Sequence, residues 1–335
     1  RDRDYRSYGK VGKCIYIKLG RFLPNAYAIN RGGCSLMSWG SSDEVLDRLV
    51  SRLLSIRGKY PRILWPLGGA REIGRSCFLL WFGGKRFIID CGFRPGAGQI
   101  LYPSFKALSY ARAKGHFDVD AIFISHAHLD HVGALPRIFK YINSCPVYMT
   151  KTTRKLAEIL LRDAKIVREE SGFLSNDNET EFDINSLDIR EVRTGETISL
   201  GEVSVTFLDA GHVPGSAMLL FQFMDNTILY TGDYNLKDTS LLKGADVSKL
   251  EEILRGEKID YIITEGTYAS SGEKIVDVKK EEAQLVEFMR KVTERGGKVL
   301  IPVFALGRAQ EILALICKAK ADGKLPSSLN VYLSG

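Results

Sequence analysis

The sequence predicts a layered α/β or α+β fold with helices covering a sheet core, and three observations carry that expectation. From about residue 62, short apolar runs recur, most of them bounded by Gly, Asp or Pro as strands are. Segments of helical periodicity separate some of these runs. Toward the end of the chain, strand-like and helical segments alternate, the rhythm of a parallel sheet. The 335 residues, 45% hydrophobic and 26% charged, allow about two domains of roughly 150 residues and contain no apolar run near the ~20 residues of a membrane span.

Residues 1–60 read as a small basic accessory module. Runs 14–17 and 26–29 are strand-like, broken by Pro24, Asn25, Gly32 and Gly33. Ser41 and Glu44 make a capping box, and Val45, Leu46, Leu49, Val50, Leu53 and Leu54 form one helical face that Gly58 ends. Twelve Lys and Arg stand against five acids here, so this module carries the whole net charge of +7. Such a surplus suits a polyanionic partner, with a merely solvated basic surface as the alternative.

Strands are expected at 62–66, 77–82, 87–90, 121–125, 146–149, 203–208, 217–223, 227–230 and 261–264, with helices at 131–142 and 153–168. Residues 171–183 form a polar, acidic loop. Beyond Ser270 come a long amphipathic helix over 278–295, a strand over 298–303 and a helix from Arg308, the start of a second domain. The boundaries are thus 1–60, 61–270 and 271–335. A chain that begins at Arg1 and stops at Gly335, just after the strand-like run 329–333, reads as a fragment at both ends.

The six cysteines, Cys14, Cys34, Cys77, Cys91, Cys145 and Cys317, include no C-x-x-C pair. They read as buried free thiols of a reducing, cytoplasmic compartment rather than a disulfide framework or a cysteine metal site.

Chemistry concentrates in His126-Ala127-His128-Leu129-Asp130-His131, which directly follows the apolar run 121–125. Alternate positions of an extended strand end share one side, so His126, His128 and Asp130 can converge, and His131 joins from the other flank as a helix begins. Imidazole with carboxylate suits zinc without any thiolate. Three His and one Asp cannot all close on one tetrahedral ion and leave room for water, so two adjacent metals are expected, with His212 and Asp233 as further ligands. Both follow strands and sit beside glycines, where backbone approaches an ion closely. His116 stands alone and reads as a surface or packing histidine.

The histidine cluster, His212 and Asp233 together resemble the metallo-β-lactamase fold, an αββα sandwich with metals at one sheet edge. Residues 68–77 (GGAREIGRSC) and 88–92 (IIDCG) resemble the opening of its β-CASP nuclease branch. Residues 301–311 (IPVFALGRAQE) resemble the cleavage and polyadenylation specificity factor endonuclease group, nearest its archaeal members. The resemblance spans 62 to 335.

It implies two Zn2+ ions: His126, His128 and His212 on one, Asp130 and His131 on the other, and Asp233 bridging. Asp90 would steady the histidine loop, and Glu265 would orient a histidine of the second domain, so Asp130 and Glu265 count as the catalytic carboxylates. Gly266 stands where the family pattern normally has Ser. The implied activity is zinc-dependent hydrolysis of RNA phosphodiester bonds, in endonucleolytic 3′-end processing or transcription termination. RNA is the expected partner, single-stranded DNA the alternative, and a homodimer or an RNA-processing complex the expected assembly, with no membrane partner. Hydrolysis of a small ester, thioester or lactam and an inactive RNA-binding scaffold are the competing readings.

The family's general acid and last zinc ligand are histidines later than any here, since none follows His212. The 1–335 chain alone is therefore expected to be nearly inactive. Archaeal relatives often carry RNA-binding KH domains ahead of the nuclease, and Gly9-Lys10-Val11-Gly12 has the Gly-x-x-Gly form. No helical run leads into it, so a plain glycine turn is the expected reading.

Overall fold

The computed structural model describes residues 26–30, 33–37, 62–96, 99–114, 117–170, 184–267 and 277–333. The expected helix after Ser41, the strand at 14–17, the loop 171–183, Gly9–Gly12 and His116 lie outside them. Strands β1 (Ala26–Asn30), β2 (Gly33–Met37), β3 (Ile63–Gly68), β4 (Cys77–Phe82) and β5 (Lys85–Ile89) come first, followed by a small ribbon of β6 (Arg94–Gly96) and β7 (Gln99–Leu101). Next are β8 (Ala121–Phe123), β9 (Val147–Thr150) and β10 (Ile189–Val192). The first sheet runs β10-β9-β8-β5-β4-β3-β1-β2, and Tyr27 and Ala28 pair with Leu64 and Ile63. A second sheet orders β11 (Thr197–Leu200), β12 (Val203–Asp209), β13 (Ala217–Phe223), β14 (Asn226–Tyr230) and β15 (Tyr261–Ile263).

Period-2 alternation assembles these sheets into layers. Along β4, Phe78, Leu80 and Phe82 face the core between the sheets, whereas Cys77 and Leu79 face a second core on the opposite side. From the other sheet, Ala217, Leu219 and Phe221 enter the central core, while Met218 and Leu220 turn outward. Helices α1 (Phe105–Ala113), α2 (Leu129–Val132), α3 (Leu135–Ile138) and α4 (Lys151–Glu170) cover the first sheet, and α5 (Val247–Leu254) covers the second. The result is a four-layer αββα sandwich. Each large side chain sealed this way contributes about 1.5–3 kcal/mol of apolar burial.

Two elements depart from the sequence reading. The expected single helix over 131–142 is two short helices, because Pro136, in the first turn of the second, has no N–H to give the Val132 carbonyl. Gly133 between them allows close packing, since a Cβ there would lie 2.4 Å from the Leu129 carbonyl oxygen and from the Phe93 ring. The expected strand over 298–303 is not formed: these residues take no regular structure and pair with no strand among the described residues, and Leu300 is 92% exposed. They link α6 (Val278–Glu294) to α7 (Arg308–Ala321), which share a small core of Val286, Met289, Ile316 and Ala319. Cys77, Cys91 and Cys145 are buried free thiols as expected, but Cys317 is exposed. Among the described residues, no helix is long and apolar enough to cross a membrane.

Candidate metal centre

Strands β5 and β8 are parallel, as are β14 and β15, and β12 runs the same way as β14 because both are antiparallel to β13. Their C-terminal ends therefore deliver Asp90, the histidine cluster, His212, Asp233 and Glu265 to one edge of the sandwich. Backbone contacts then lock the segments in place. Cys91 N–H donates to the His131 carbonyl, Phe93 N–H to that of Leu129, and Ser76 N–H to that of Asp130. Gly92 permits this packing, since a Cβ there would meet the Asp130 carbonyl oxygen at 1.7 Å. The His212 loop is tied to the start of α4, where the hydroxyls of Thr150 and Thr153 both donate to the Gly215 carbonyl at 2.8 and 2.9 Å.

Asp90 anchors the centre. Its Oδ1 accepts the Ser125 N–H at 2.7 Å, and its Oδ2 accepts the Ser125 hydroxyl at 2.8 Å, the Tyr230 hydroxyl at 2.6 Å and the His131 Nδ1–H at 2.7 Å. Burial and the adjacent Asp90 raise the Tyr230 phenol well above its usual range, so it stays a donor. Ser125 and Tyr230 were given no role by the sequence; the only signal for Tyr230 is its place at the end of β14, three residues before Asp233.

Proton bookkeeping fixes the rings. Ser125 spends its hydrogen on Asp90, so its Oγ can only accept from His126 Nδ1, 3.0 Å away. His128 Nε2 lies 3.3 Å from the Leu306 carbonyl oxygen, which can only accept. Lone pairs at His126 Nε2 and His128 Nδ1 are thus left facing one another at 3.1 Å, with His212 Nε2 3.2 Å from the same His128 Nδ1. Tetrahedral zinc holds two ligand nitrogens about 3.3 Å apart, given bonds of about 2.0–2.1 Å. His126, His128, His212 and Asp233 offer donor atoms within 4.8 Å of one another, a set that fits such an ion.

Asp233 faces two ways. Its Oδ2 lies 3.6 Å from His212 Nε2 and 4.0 Å from His126 Nε2, while its Oδ1 lies 3.4 Å from His131 Nε2. Asp130 does not join His126 and His128 in an alternating row, because the strand ends at Phe123 and α2 carries Asp130 round to His131, where Oδ2 and Nε2 are 3.9 Å apart.

The electrostatics are those of crowded imidazoles around a carboxylate. Burial, with His131, His128 and His212 nearby, drives His126 well below its usual value. Burial also lowers His212, to about 4, against the pull of Asp233. Burial opposes charge on His131 too, but Asp90 and Asp233 outweigh it and raise that imidazole well above the usual range. Asp233 is held at about 2, since His131 and the other imidazoles override the penalty of its burial. Beside this cluster opens a cleft whose lining includes Glu72, Asp130, His131, Asp233 and Glu265. Glu265 Oε2 accepts the Thr267 N–H at 3.1 Å.

The sandwich fold and the histidine–aspartate centre at its edge are those of one superfamily, and the chain belongs to it: the metallo-beta-lactamase superfamily, whose family model matches residues 70–267. It is 37% identical over 278 residues to the probable RNase MJ4 of Methanocaldococcus jannaschii, covering 80% of this chain and 58% of that protein. It is 31% identical over 300 residues to transcription termination factor FttA of the same organism (87% and 44%) and 36% identical over 264 residues to Integrator complex subunit 11 of Danio rerio (75% and 41%). The chain spans about half the length of these curated relatives.

Proposed function

We propose that this protein is a zinc-dependent endoribonuclease acting in RNA 3′-end processing or transcription termination. The observation that carries the reading is the proton arrangement around the centre: outward partners hold the protons of His126 and His128, leaving inward lone pairs opposite the split carboxylate of Asp233. Relatives named as ribonucleases and as a transcription termination factor support RNA as the substrate.

In this reading His126, His128 and His212 would hold one zinc ion and Asp130 and His131 the other, with Asp233, whose two oxygens face His212 and His131, shared between them. Divalent ions there would supply Lewis-acid polarisation of a phosphoryl oxygen and a water of lowered pKa. The chain's own residues do the rest. Asp90 keeps His131 oriented through Nδ1–H, with Ser125 and Tyr230 filling its remaining acceptor sites. Asp130, 38% exposed in the cleft, would accept a hydrogen bond from the attacking water, and Glu265 holds its place at the cleft wall by accepting from Thr267. The cytoplasm is its compartment, and an RNA-processing complex its assembly.

The test is incubation of the full-length protein with internally labelled RNA. Internal cleavage that a chelator stops, that zinc restores and that His128→Ala abolishes without unfolding the chain is the expected result, with two metal ions bound per chain. Turnover of a lactam or thioester with RNA left intact would instead establish the small-substrate reading.

A further inference from the structure

The string over residues 301–311 supplies no ligand, yet it reaches the centre through its backbone. Leu306 and His128 are 178 residues apart in sequence, and the Leu306 carbonyl oxygen lies 3.3 Å from His128 Nε2. This carbonyl belongs to the turn Ala305-Leu306-Gly307, which is clamped from several sides. Gln310 spans it: its Oε1 accepts the Gly307 N–H at 2.7 Å and its Nε2 donates to the Ala305 carbonyl at 2.9 Å. The Ala309 N–H donates to the Phe304 carbonyl at 3.2 Å. The Leu306 side chain packs on the core beneath the first sheet. Gly307 has φ +92°, and a Cβ there would lie 2.8 Å from Val213 Cγ1, so the turn is seated directly against the neighbour of His212.

We propose that the Leu306 carbonyl, held in place by Gln310, is a positioning group that keeps His128 in its Nε2–H tautomer and so turns the Nδ1 lone pair into the metal centre. A carbonyl oxygen has no hydrogen to give, so the contact forms only when Nε2 carries the proton. Ser125 does the same work for His126 and Asp90 for His131, both from within the sandwich. His128, by contrast, takes its outer partner from the segment beyond residue 300. The α6–α7 unit is thereby coupled to the metal centre without contributing a ligand to it, and Gln310 acts only through the turn. The inference rests on the reading of His128 as a ligand but not on RNA being the substrate.

The experiment uses the full-length protein labelled with 15N-histidine, first metal-free, with the His128 tautomer read from long-range 1H–15N correlations. Wild type should show the proton on Nε2. Gln310→Ala should convert His128 to a mixture of tautomers and weaken cobalt(II) binding, followed by its visible absorption, by about tenfold to a hundredfold. Gln310→Glu retains the acceptor for Gly307 but loses the donor to Ala305, and should fall between them. The His126 tautomer should stay unchanged throughout, which a general loss of structure would not allow. A proton on Nδ1 in wild type overturns the proposal without any variant, and so does an unchanged tautomer and cobalt affinity in both variants. Because no RNA is present, loss of the ribonuclease reading would leave these results standing, and their failure would leave RNA cleavage untouched.

Discussion

His131 Nδ1 and Asp90 Oδ2 meet at 2.7 Å across 41 residues of sequence, in a pocket where both side chains are almost wholly removed from water. Asp90 reaches that position with φ +57°, a left-handed backbone that few residues other than Gly, Asn and Asp adopt without strain. Four donors converge on its one carboxylate and hold it there.

Asp90→Asn keeps the size and tolerates the backbone, but its amide would turn a donor toward other donors. A buried unpaired group of this kind costs about 1–3 kcal/mol. Thermal unfolding should show that loss, and zinc titration should show the affinity of the site containing His131 falling by about tenfold to a hundredfold. Equal zinc affinity in the two proteins would mean that Asp90 serves folding only.

Gly92→Ala should be far more damaging than Gly195→Ala. At Gly92 the new Cβ would lie 1.7 Å from the Asp130 carbonyl oxygen and 2.5 Å from His131 N, so the histidine loop must move, at about 3 kcal/mol or more. Gly195 has φ +84° but nothing within 4 Å, leaving only backbone strain of about 1–2 kcal/mol. Denaturant unfolding of the two variants should rank them in that order.

Removal of residues 1–25 deletes seven basic residues and two acids yet stops before β1, which pairs with β3. RNA binding by the shortened protein should lose part of its salt dependence, with the slope of log K against log salt flattening by about 0.7 for each phosphate that the segment neutralises. The cleavage rate at saturating RNA should not change. An unchanged slope would make the segment a solvated surface.

Burial pushes the Cys145 thiol up to about 12 from an ordinary value near 9. Between those values the folded protein holds the proton that the unfolded chain releases, so stability falls as pH rises above about 9, by at most about 1.4 kcal/mol per unit. From pH 8 to pH 10.5 the melting temperature of wild type should therefore fall more steeply than that of Cys145→Ala. Parallel curves would show that the thiol contributes nothing.

Much of this protein can be read without coordinates. The strands around the site are legible because their side chains obey period 2: Phe78, Leu80 and Phe82 go one way and Cys77 and Leu79 the other, and such runs are continuous in sequence. His126, His128, His212 and Asp233 stand out by residue type and by their positions just after strands, and the fold brings their donor atoms within 4.8 Å. Less legible were β10, β11, α1 and α5, whose faces are only partly apolar.

What tertiary structure alone decides is which atom of each side chain does the work. The alternating row expected of His126, His128 and Asp130 fails because α2 begins at Leu129, and helical geometry swings Asp130 to His131. The outer partners of the rings are invisible beforehand for a plainer reason. Tyr230 meets Asp90 across 140 residues, and the Leu306 oxygen meets His128 across 178. The first pairing leaves no local pattern, and the second uses a backbone carbonyl, a group that every residue possesses and that sequence therefore cannot single out.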